Sequence, residues 1–315
     1  MCTAICMQSD NFYFGRNMDV ECGFGERVVV CPRGFALDFK FTDTLPRHYA
    51  VMGTAAIVDG YPLYADAFNE KGLCMAGLNF PHTAFYFKDA PKGKLALAPF
   101  ELIPFVLGRC ETIEQAEREL ERIAIIAEPF SESIPLTPLH WIVADKRGSL
   151  AVEPTEDGLK VYKNPVGVLT NEPPFPYHLA ELGKYSHLTP KQPSNSIFPE
   201  ITRQSLGLGA FGLAGDYSSA SRFSKAAFLA SVCNLPDTAD EQHKVAHFFR
   251  LLYSVAPPYG AVLAYDGKPH YSLYSCCMNA TSAIYYVCAY DSLSVSAKTM
   301  SESDMNGKDL ISYFH

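Results

Sequence analysis

The order of short strand-like and helical segments is the feature that most constrains the fold. The N-terminal third holds apolar segments of strand length separated by Gly, Pro and Asp-containing turns. These segments are residues 3–7, 11–14, 27–31, 37–41, 50–56 and 73–78. A helix is predicted at residues 100–107. A capping-box signature, Thr112 with Gln115, predicts a second one. The apolar face of this second helix comprises Ile113, Ala116, Leu120 and Ile123.

The rest of the chain repeats the alternation. Further strands are predicted at residues 139–144, 149–153, 159–162, 167–169, 271–275, 283–290 and 293–298. Helices are predicted at residues 177–182, 221–232 and 240–255, and residues 190–211 are expected to be irregular. Groups of strands alternating with groups of helices, without a repeating strand-helix-strand unit, predict an α+β protein of layered antiparallel sheets. Since the sequence shows neither a repeat nor a linker, we expect residues 1–315 to form a single domain.

Charge and hydropathy exclude several classes of partner. The net charge is −8, from 26 Lys and Arg against 34 Asp and Glu, and the basic residues form no run. Nucleic acid is therefore not an expected partner, because phosphate binding needs clustered positive charge. The first twenty residues do not resemble a signal peptide, and no segment reaches the ~18 apolar residues of a membrane span. We expect a cytoplasmic protein that does not bind a membrane.

The ten cysteines do not indicate a metal centre. They form no Cys-x-x-Cys pair and no Cys/His group at zinc spacing, so most are expected to be buried and reduced. His243 and His247 have the spacing of two ligands on a helix, but the His-Glu-x-x-His pattern is missing. The Gly-x-Ser-x-Gly pattern of many serine hydrolases is missing too. We expect no metal and no cofactor.

Cys2 lies directly after the initiator methionine. Loss of Met1 would leave a cysteine with a free α-amine, and that amine can take the proton of its own thiol because both titrate near neutral pH. This is the cysteine form of an N-terminal nucleophile. Many proteins have a small second residue without being enzymes, so Cys2 alone does not establish catalysis.

Arg16 and Asp19 follow the second strand-like segment. If Asp10 and Asn11 form a hairpin, both charged residues return beside Cys2. A guanidinium stabilises a thiolate, and a carboxylate orients an amine. On spacing alone, a surface Arg/Asp pair is the favoured interpretation.

Five short motifs are distributed along the chain: MCT, FGRNMD, NEKGLCMAGLNFP, VLTNEPPFPYH and GDYSSASRF. Together and in this order they resemble the choloylglycine hydrolase family of bile salt hydrolases and penicillin V acylases. The resemblance implies a four-layer αββα fold of the N-terminal-nucleophile hydrolases, in which two antiparallel sheets lie between helical layers.

The resemblance also implies roles for individual residues. Cys2 would be the nucleophile, and Arg16 and Asp19 would tune and orient it. Asn171 would donate its side-chain amide, and Asn79 its backbone N–H, to the tetrahedral oxygen. Arg222 would be a further catalytic-site arginine. Three segments, residues 18–24, 56–61 and 127–139, would line the substrate pocket through Met18, Phe24, Ile57, Phe130, Ile134, Leu136 and Leu139.

The implied reaction is hydrolysis of the amide that joins a bile acid to glycine or taurine, through a Cys2 thioester and without a cofactor. The implied assembly is a homotetramer. Two alternatives stay open at this point: a penicillin V acylase or related N-acyl amide hydrolase, and a non-catalytic steroid or lipid carrier that uses the same apolar loops.

Overall fold

The computed structural model describes residues 1–193, 197, 200, 205–236 and 238–313. These residues form the following strands: β1 (Cys2–Gln8), β2 (Phe12–Val20), β3 (Arg27–Cys31), β4 (Val51–Val58), β5 (Tyr61–Asn69), β6 (Cys74–Asn79), β7 (Leu95–Leu97), β8 (Ile123–Ile125), β9 (Leu139–Asp145), β10 (Gly148–Thr155), β11 (Gly158–Lys163), β12 (Val168–Leu169), β13 (Tyr271–Asn279), β14 (Ile284–Ala289), β15 (Ser296–Thr299) and β16 (Ile311–Tyr313). The α-helices are α1 (Leu102–Arg109), α2 (Ile113–Leu120), α3 (Phe175–Leu182), α4 (Ser219–Val232), α5 (Glu241–Tyr253) and α6 (Glu302–Met305).

Two large antiparallel sheets carry the fold. The first has the strand order β12-β1-β2-β13-β14-β15, and the second has the order β11-β10-β9-β6-β5-β4-β3-β16. In the first sheet, the hairpin predicted at Asp10 and Asn11 is confirmed, since β1 and β2 pair from Cys2 opposite Met18 onwards. This pairing holds the first residues of the chain within the six-stranded sheet.

The layers follow from the alternation of side chains along each strand. In β3, Val28 and Val30 join the core shared with the first sheet, whereas Val29 and Cys31 join the core under α1 and α2. Helices α4 and α5 cover the other face of the first sheet. The predicted four-layer arrangement is confirmed. Within the described ranges, no helix has the length and apolarity needed to cross a membrane.

Some predicted elements differ from the structure. Residues 37–41 are not a strand: Leu37 makes only an isolated bridge to Leu45, because the chain turns between them and Thr44 donates a hydrogen bond to Asp38. Ile123 is not part of α2, which ends at Leu120. It begins β8 and pairs in parallel with Leu95.

Other elements were not predicted. Strand β5 contains Pro62 and Asp66, which weaken a strand pattern, and its first residue, Tyr61, is the last residue of a predicted pocket segment. Only part of the irregular segment predicted at 190–211 lies within the described residues, and there it includes a 3₁₀ turn at Leu208–Ala210.

Candidate active site

Cys2 is the first residue of β1, and its side chain is only 3% exposed. Its Sγ atom lies 4.0 Å from the Sδ atom of Met18, the residue opposite it in β2. The sheet register therefore fixes the position of the thiol at the start of the chain.

Met1 is present, so the nitrogen of Cys2 is a peptide nitrogen that stands in for the α-amine of a processed chain. It donates a hydrogen bond of 2.8 Å to Asn171 Oδ1. The Met1 amino group donates to the Asp19 carbonyl at 2.8 Å and lies 3.4 Å from His270 Nδ1. Removal of Met1 would thus free a nitrogen that Asn171 already holds beside the thiol.

Arg16 is fully buried in β2 and projects toward the second sheet. Its Nη1 atom donates to the carbonyls of Gly77 at 2.5 Å and Ala65 at 3.1 Å, and its Nη2 atom lies 3.5 Å from Met18 Sδ. Burial opposes the charge, but electrostatic attraction to Cys2, foremost among its neighbours, raises the pKa of Arg16. The guanidinium is therefore a permanent buried cation close to the nucleophile.

Asp19 is also fully buried. Its Oδ1 atom accepts a hydrogen bond of 2.6 Å from Ser272 Oγ, while Oδ2 has no hydrogen-bond partner among the described residues. Burial raises the pKa of the Asp19 carboxyl, and Arg222 and the Ser272 hydrogen bond partly oppose this shift. Asp19 thus has one carboxylate oxygen without a hydrogen-bond partner among the described residues, beside a cavity that Cys2 also lines.

Asn171 connects the nucleophile with β6. Besides accepting from Cys2, its Oδ1 atom accepts from Arg222 Nη2 at 2.7 Å, and its Nδ2 atom donates to the Asn79 carbonyl at 2.8 Å. An amide nitrogen carries two hydrogens, so the second N–H of Asn171 is free to donate to another acceptor.

Arg222 lies in α4 and is buried behind Cys2 and Asn171. Its Nη1 atom donates to the Cys2 carbonyl at 2.5 Å and to Thr3 Oγ1 at 2.6 Å. Burial lowers the pKa of Arg222, and the nearby Asp19 opposes the shift. Arg222 thus holds the main chain of Cys2 and the carboxamide of Asn171 rather than facing the substrate side.

The register of β6 decides where the Asn79 N–H points. Asn79 is opposite Leu139 of β9, and the next residue, Phe80, donates its N–H to the Pro138 carbonyl. Because hydrogen-bonded and non-hydrogen-bonded pairs alternate in an antiparallel ladder, the Asn79 N–H points away from β9. On that side β6 pairs with β5 only at residues 74–76, so the N–H of Asn79 lies beyond the end of the ladder, where Arg16 occupies the gap.

The site thus places the buried Cys2 near the carboxamide of Asn171, the N–H of Asn79 and the buried cation Arg16. A model of the "linear amide C–N hydrolases, choloylglycine hydrolase family" matches residues 2–313. The chain belongs to the choloylglycine hydrolase family. The predicted family and enzyme class, a hydrolase of linear amide C–N bonds, are confirmed.

Relatives and solved structures agree with this assignment. The chain is 42% identical over 315 residues to the bile salt hydrolase/transferase of Lactiplantibacillus plantarum, covering 99% of this chain and 96% of that protein. It is 38% identical over 319 residues to the conjugated bile acid hydrolase of Lactobacillus gasseri, covering 99% and 100%. A crystal structure of a variant conjugated bile acid hydrolase from Clostridium perfringens matches with a TM-score of 0.93 at 34% identity, covering 100% and 97%.

A penicillin V acylase from Agrobacterium tumefaciens matches with a TM-score of 0.76 at 20% identity, covering 98% of this chain and 90% of that one. At this level of identity the match shows a shared fold.

In this choloylglycine hydrolase family member, a cavity of about 610 Å³ opens at Cys2. Arg16, Asp19 and Asn79 line it, together with six of the seven predicted pocket residues: Met18, Phe24, Phe130, Ile134, Leu136 and Leu139. Ile57 does not line it, and its neighbours Ala56 and Val58 do. Side chains alternate along β4, so Ile57 projects elsewhere and is 37% exposed. Asn171 and Arg222 lie behind the lining residues.

The apolar wall of the cavity is built from aromatic rings. Phe130 packs edge-on against Phe100 with ring centroids 5.2 Å apart, and Tyr61 packs against both rings. Lys40 holds the loop that carries Phe130: its ammonium donates to Glu128 Oε1 at 2.8 Å and to the Pro129 carbonyl at 2.7 Å.

Sequence reasoning missed several residues around the site. Lys40 carries no local signal, because its contact with Glu128 spans distant parts of the chain. The sequence pattern gives no role to His140, which lies in β9, or to His178, which lies within the VLTNEPPFPYH motif and in α3. His270 lines the cavity beside Met1 and was also missed.

A larger groove of about 840 Å³ lies elsewhere and contains none of the predicted site residues. Charged side chains dominate its lining, including Arg33, Glu70 and Arg109. Within the described ranges, no three His, Cys, Asp or Glu side chains are grouped as metal ligands would be.

Proposed function

We propose that this protein hydrolyses glycine- or taurine-conjugated bile salts through a Cys2 thioester. The observation that carries the proposal is the position of Cys2: its nitrogen is hydrogen-bonded to Asn171, and the residue also lines a mainly apolar cavity. The relatives named bile salt hydrolase or conjugated bile acid hydrolase support the choice of substrate.

In the proposed reaction, the freed α-amine of Cys2 takes the thiol proton, and Sγ attacks the amide carbonyl. The Asn79 N–H and the second N–H of Asn171 donate to the developing oxyanion, and Arg16 favours the thiolate through its positive charge. The protonated amine then gives its proton to the departing glycine or taurine nitrogen. Water attacks the thioester, releases the bile acid and regenerates Cys2.

Substrate selection would rest on the apolar wall. The net charge of −8 repels an anionic bile salt over long range. Burial of the sterol offsets this, at roughly 25 cal/mol for each Å² of apolar surface removed from water. Arg16 is the cation that remains on the cavity side, since Arg222 lies behind Asn171.

Penicillin V is the alternative substrate class within the same chemistry. A phenoxyacetyl group covers much less apolar area than a sterol, so the Phe100–Phe130 wall favours the sterol. Membership of a hydrolase family argues against a non-catalytic carrier.

As part of the same proposal, the protein is a single-domain chain that acts in the cytoplasm as a homotetramer.

A substrate panel tests the proposal. Purified protein is assayed with glycine conjugates, taurine conjugates and penicillin V. Conjugated bile salts should exceed penicillin V in kcat/KM by at least about tenfold, which corresponds to ~1.4 kcal/mol of extra transition-state binding. If penicillin V is the better substrate, the assignment to bile salts is wrong even where the Cys2 chemistry holds.

A further inference from the structure

Two buried histidines lie directly behind Asn171. His178 is 1% exposed and places its Nε2 atom 2.8 Å from the Asn171 carbonyl. His140 is fully buried and places its Nε2 atom 2.9 Å from the Thr170 carbonyl. Neither ring lines the substrate cavity. Both histidines therefore contact the main chain that carries Asn171 and not the substrate.

The chemistry of the partner fixes the proton on His178. A carbonyl oxygen only accepts, so the Nε2 atom must carry the hydrogen. Burial lowers the pKa of His178, which favours the neutral ring with a single N–H. Its Nδ1 atom has no hydrogen-bond partner among the described residues. The one N–H of this buried ring is thus used on the Asn171 carbonyl.

The main chain of Asn171 is held at both polar groups. His178 donates to its carbonyl, and its N–H donates to Ser219 Oγ at 2.9 Å. The Asn171 carboxamide makes no hydrogen bond to either of these two residues and instead contacts Cys2 and Asn79. Rotation of this peptide would move the carboxamide away from both.

The same rings pack against the neighbours of two other site residues. His178 stacks on Phe223, which follows Arg222 in α4, with ring centroids 4.8 Å apart. His140 stacks on Phe80, which follows Asn79, with ring centroids 4.2 Å apart. His140 Nδ1 lies 3.5 Å from Glu153 Oε1, and that oxygen accepts the N–H of Phe175 at the start of α3.

We propose that His178, supported by His140, is a positioning residue that sets the orientation of the Asn171 carboxamide and thereby the rate of the chemical step. This inference rests on the proposed function, because it assumes that Asn171 stabilises the oxyanion. It goes beyond it by assigning a task to a residue that touches neither substrate nor nucleophile.

A pair of substitutions separates the hydrogen bond from the packing of the ring. His178→Phe keeps an aromatic ring against Phe223 and removes the donor. His178→Gln keeps a donor at a similar reach and removes the ring. With a conjugated bile salt, His178→Phe should lower kcat by about tenfold or more with little change in KM, the pattern expected for a group that acts on the transition state. His178→Gln should recover most of this loss.

A double-mutant cycle shows whether the effect passes through Asn171. In an Asn171→Ala background, His178→Phe should lower kcat no further, because the carboxamide that His178 orients is gone. Equal losses in both backgrounds would overturn the proposal, and so would a normal kcat in His178→Phe or an equal loss in His178→Gln.

If His178→Phe unfolds, as judged by circular dichroism, Ser219→Ala tests the other hydrogen bond to the Asn171 main chain. A lowered kcat at unchanged KM supports the proposal, and an unchanged kcat overturns it. Wild-type protein that does not hydrolyse conjugated bile salts would instead refute the proposed function.

Discussion

The two ends of the substrate cavity are built in different ways. At the nucleophile, position is fixed by sheet register and by buried hydrogen bonds, such as those from Arg16 to Gly77 and from Cys2 to Asn171. At the apolar end, the wall is a loop whose residues are partly exposed, with Leu136 at 37%. Removing one member of a buried polar network leaves its partners without hydrogen bonds, so the loss in free energy is large. Removing one loop side chain loses only the apolar area that this side chain covers. We therefore expect single substitutions near Cys2 to change kcat strongly, and single substitutions in the loop to change substrate preference moderately.

The largest effect is expected at the nucleophile itself. Cys2→Ser should lower kcat by about a thousandfold or more, because an alcohol is a far weaker nucleophile than a thiol near neutral pH. Circular dichroism should show an unchanged fold, since the substitution replaces only sulfur by oxygen. Steady-state hydrolysis of a glycine conjugate measures the loss, and unchanged turnover would refute the mechanism.

The next largest effect is expected at Asn171, the proposed side-chain donor to the oxyanion. Asn171→Ala should lower kcat by about 10²–10³-fold while KM changes little, as for the loss of one oxyanion donor. Full kinetics on one conjugated bile salt separate the two parameters. A change confined to KM would move Asn171 from the chemistry to substrate binding.

At the apolar end the expected effects are smaller and concern preference. Phe130→Ala or Leu136→Ala should reduce the advantage of conjugated bile salts over penicillin V by ~1–3 kcal/mol, if each side chain covers the sterol. The ratio of kcat/KM for the two substrates measures it. If neither substitution alters the ratio, the loop does not select the substrate.

The smallest effect is expected at the support of that loop. Lys40→Met should raise KM for bile salts severalfold at most, because a partly exposed ion pair contributes about 1 kcal/mol or less. Ile57→Ala is the matched control: Ile57 lies near the same cavity without lining it, so KM should not change. If both substitutions change KM equally, Lys40 has no specific role in supporting the loop.

The same contrast separates what the sequence predicts from what it does not. The β1–β2 hairpin and the capped helix α2 follow from local turn and capping patterns, so they are predictable. The family motifs predict that Arg16 and Asn171 belong to the site. The contacts that support the site are not local in sequence: the bond from His178 to Asn171 depends on how α3 packs behind β12, and Lys40 reaches Glu128 only in the folded chain. Ile57, the predicted pocket residue that does not line the cavity, lies in β4, where side chains alternate between the two faces of the sheet.

Peptide mass spectrometry of the protein, quenched during turnover of a conjugated bile salt, tests whether a processed Cys2 forms the thioester. We expect an N-terminal peptide that begins at Cys2, lacks Met1 and carries the bile-acid acyl group on this cysteine. The matched control is Cys2→Ser, in which no thioester adduct should form. An active protein that retains Met1 throughout, or an acyl group found on another residue, would refute the Cys2 thioester mechanism.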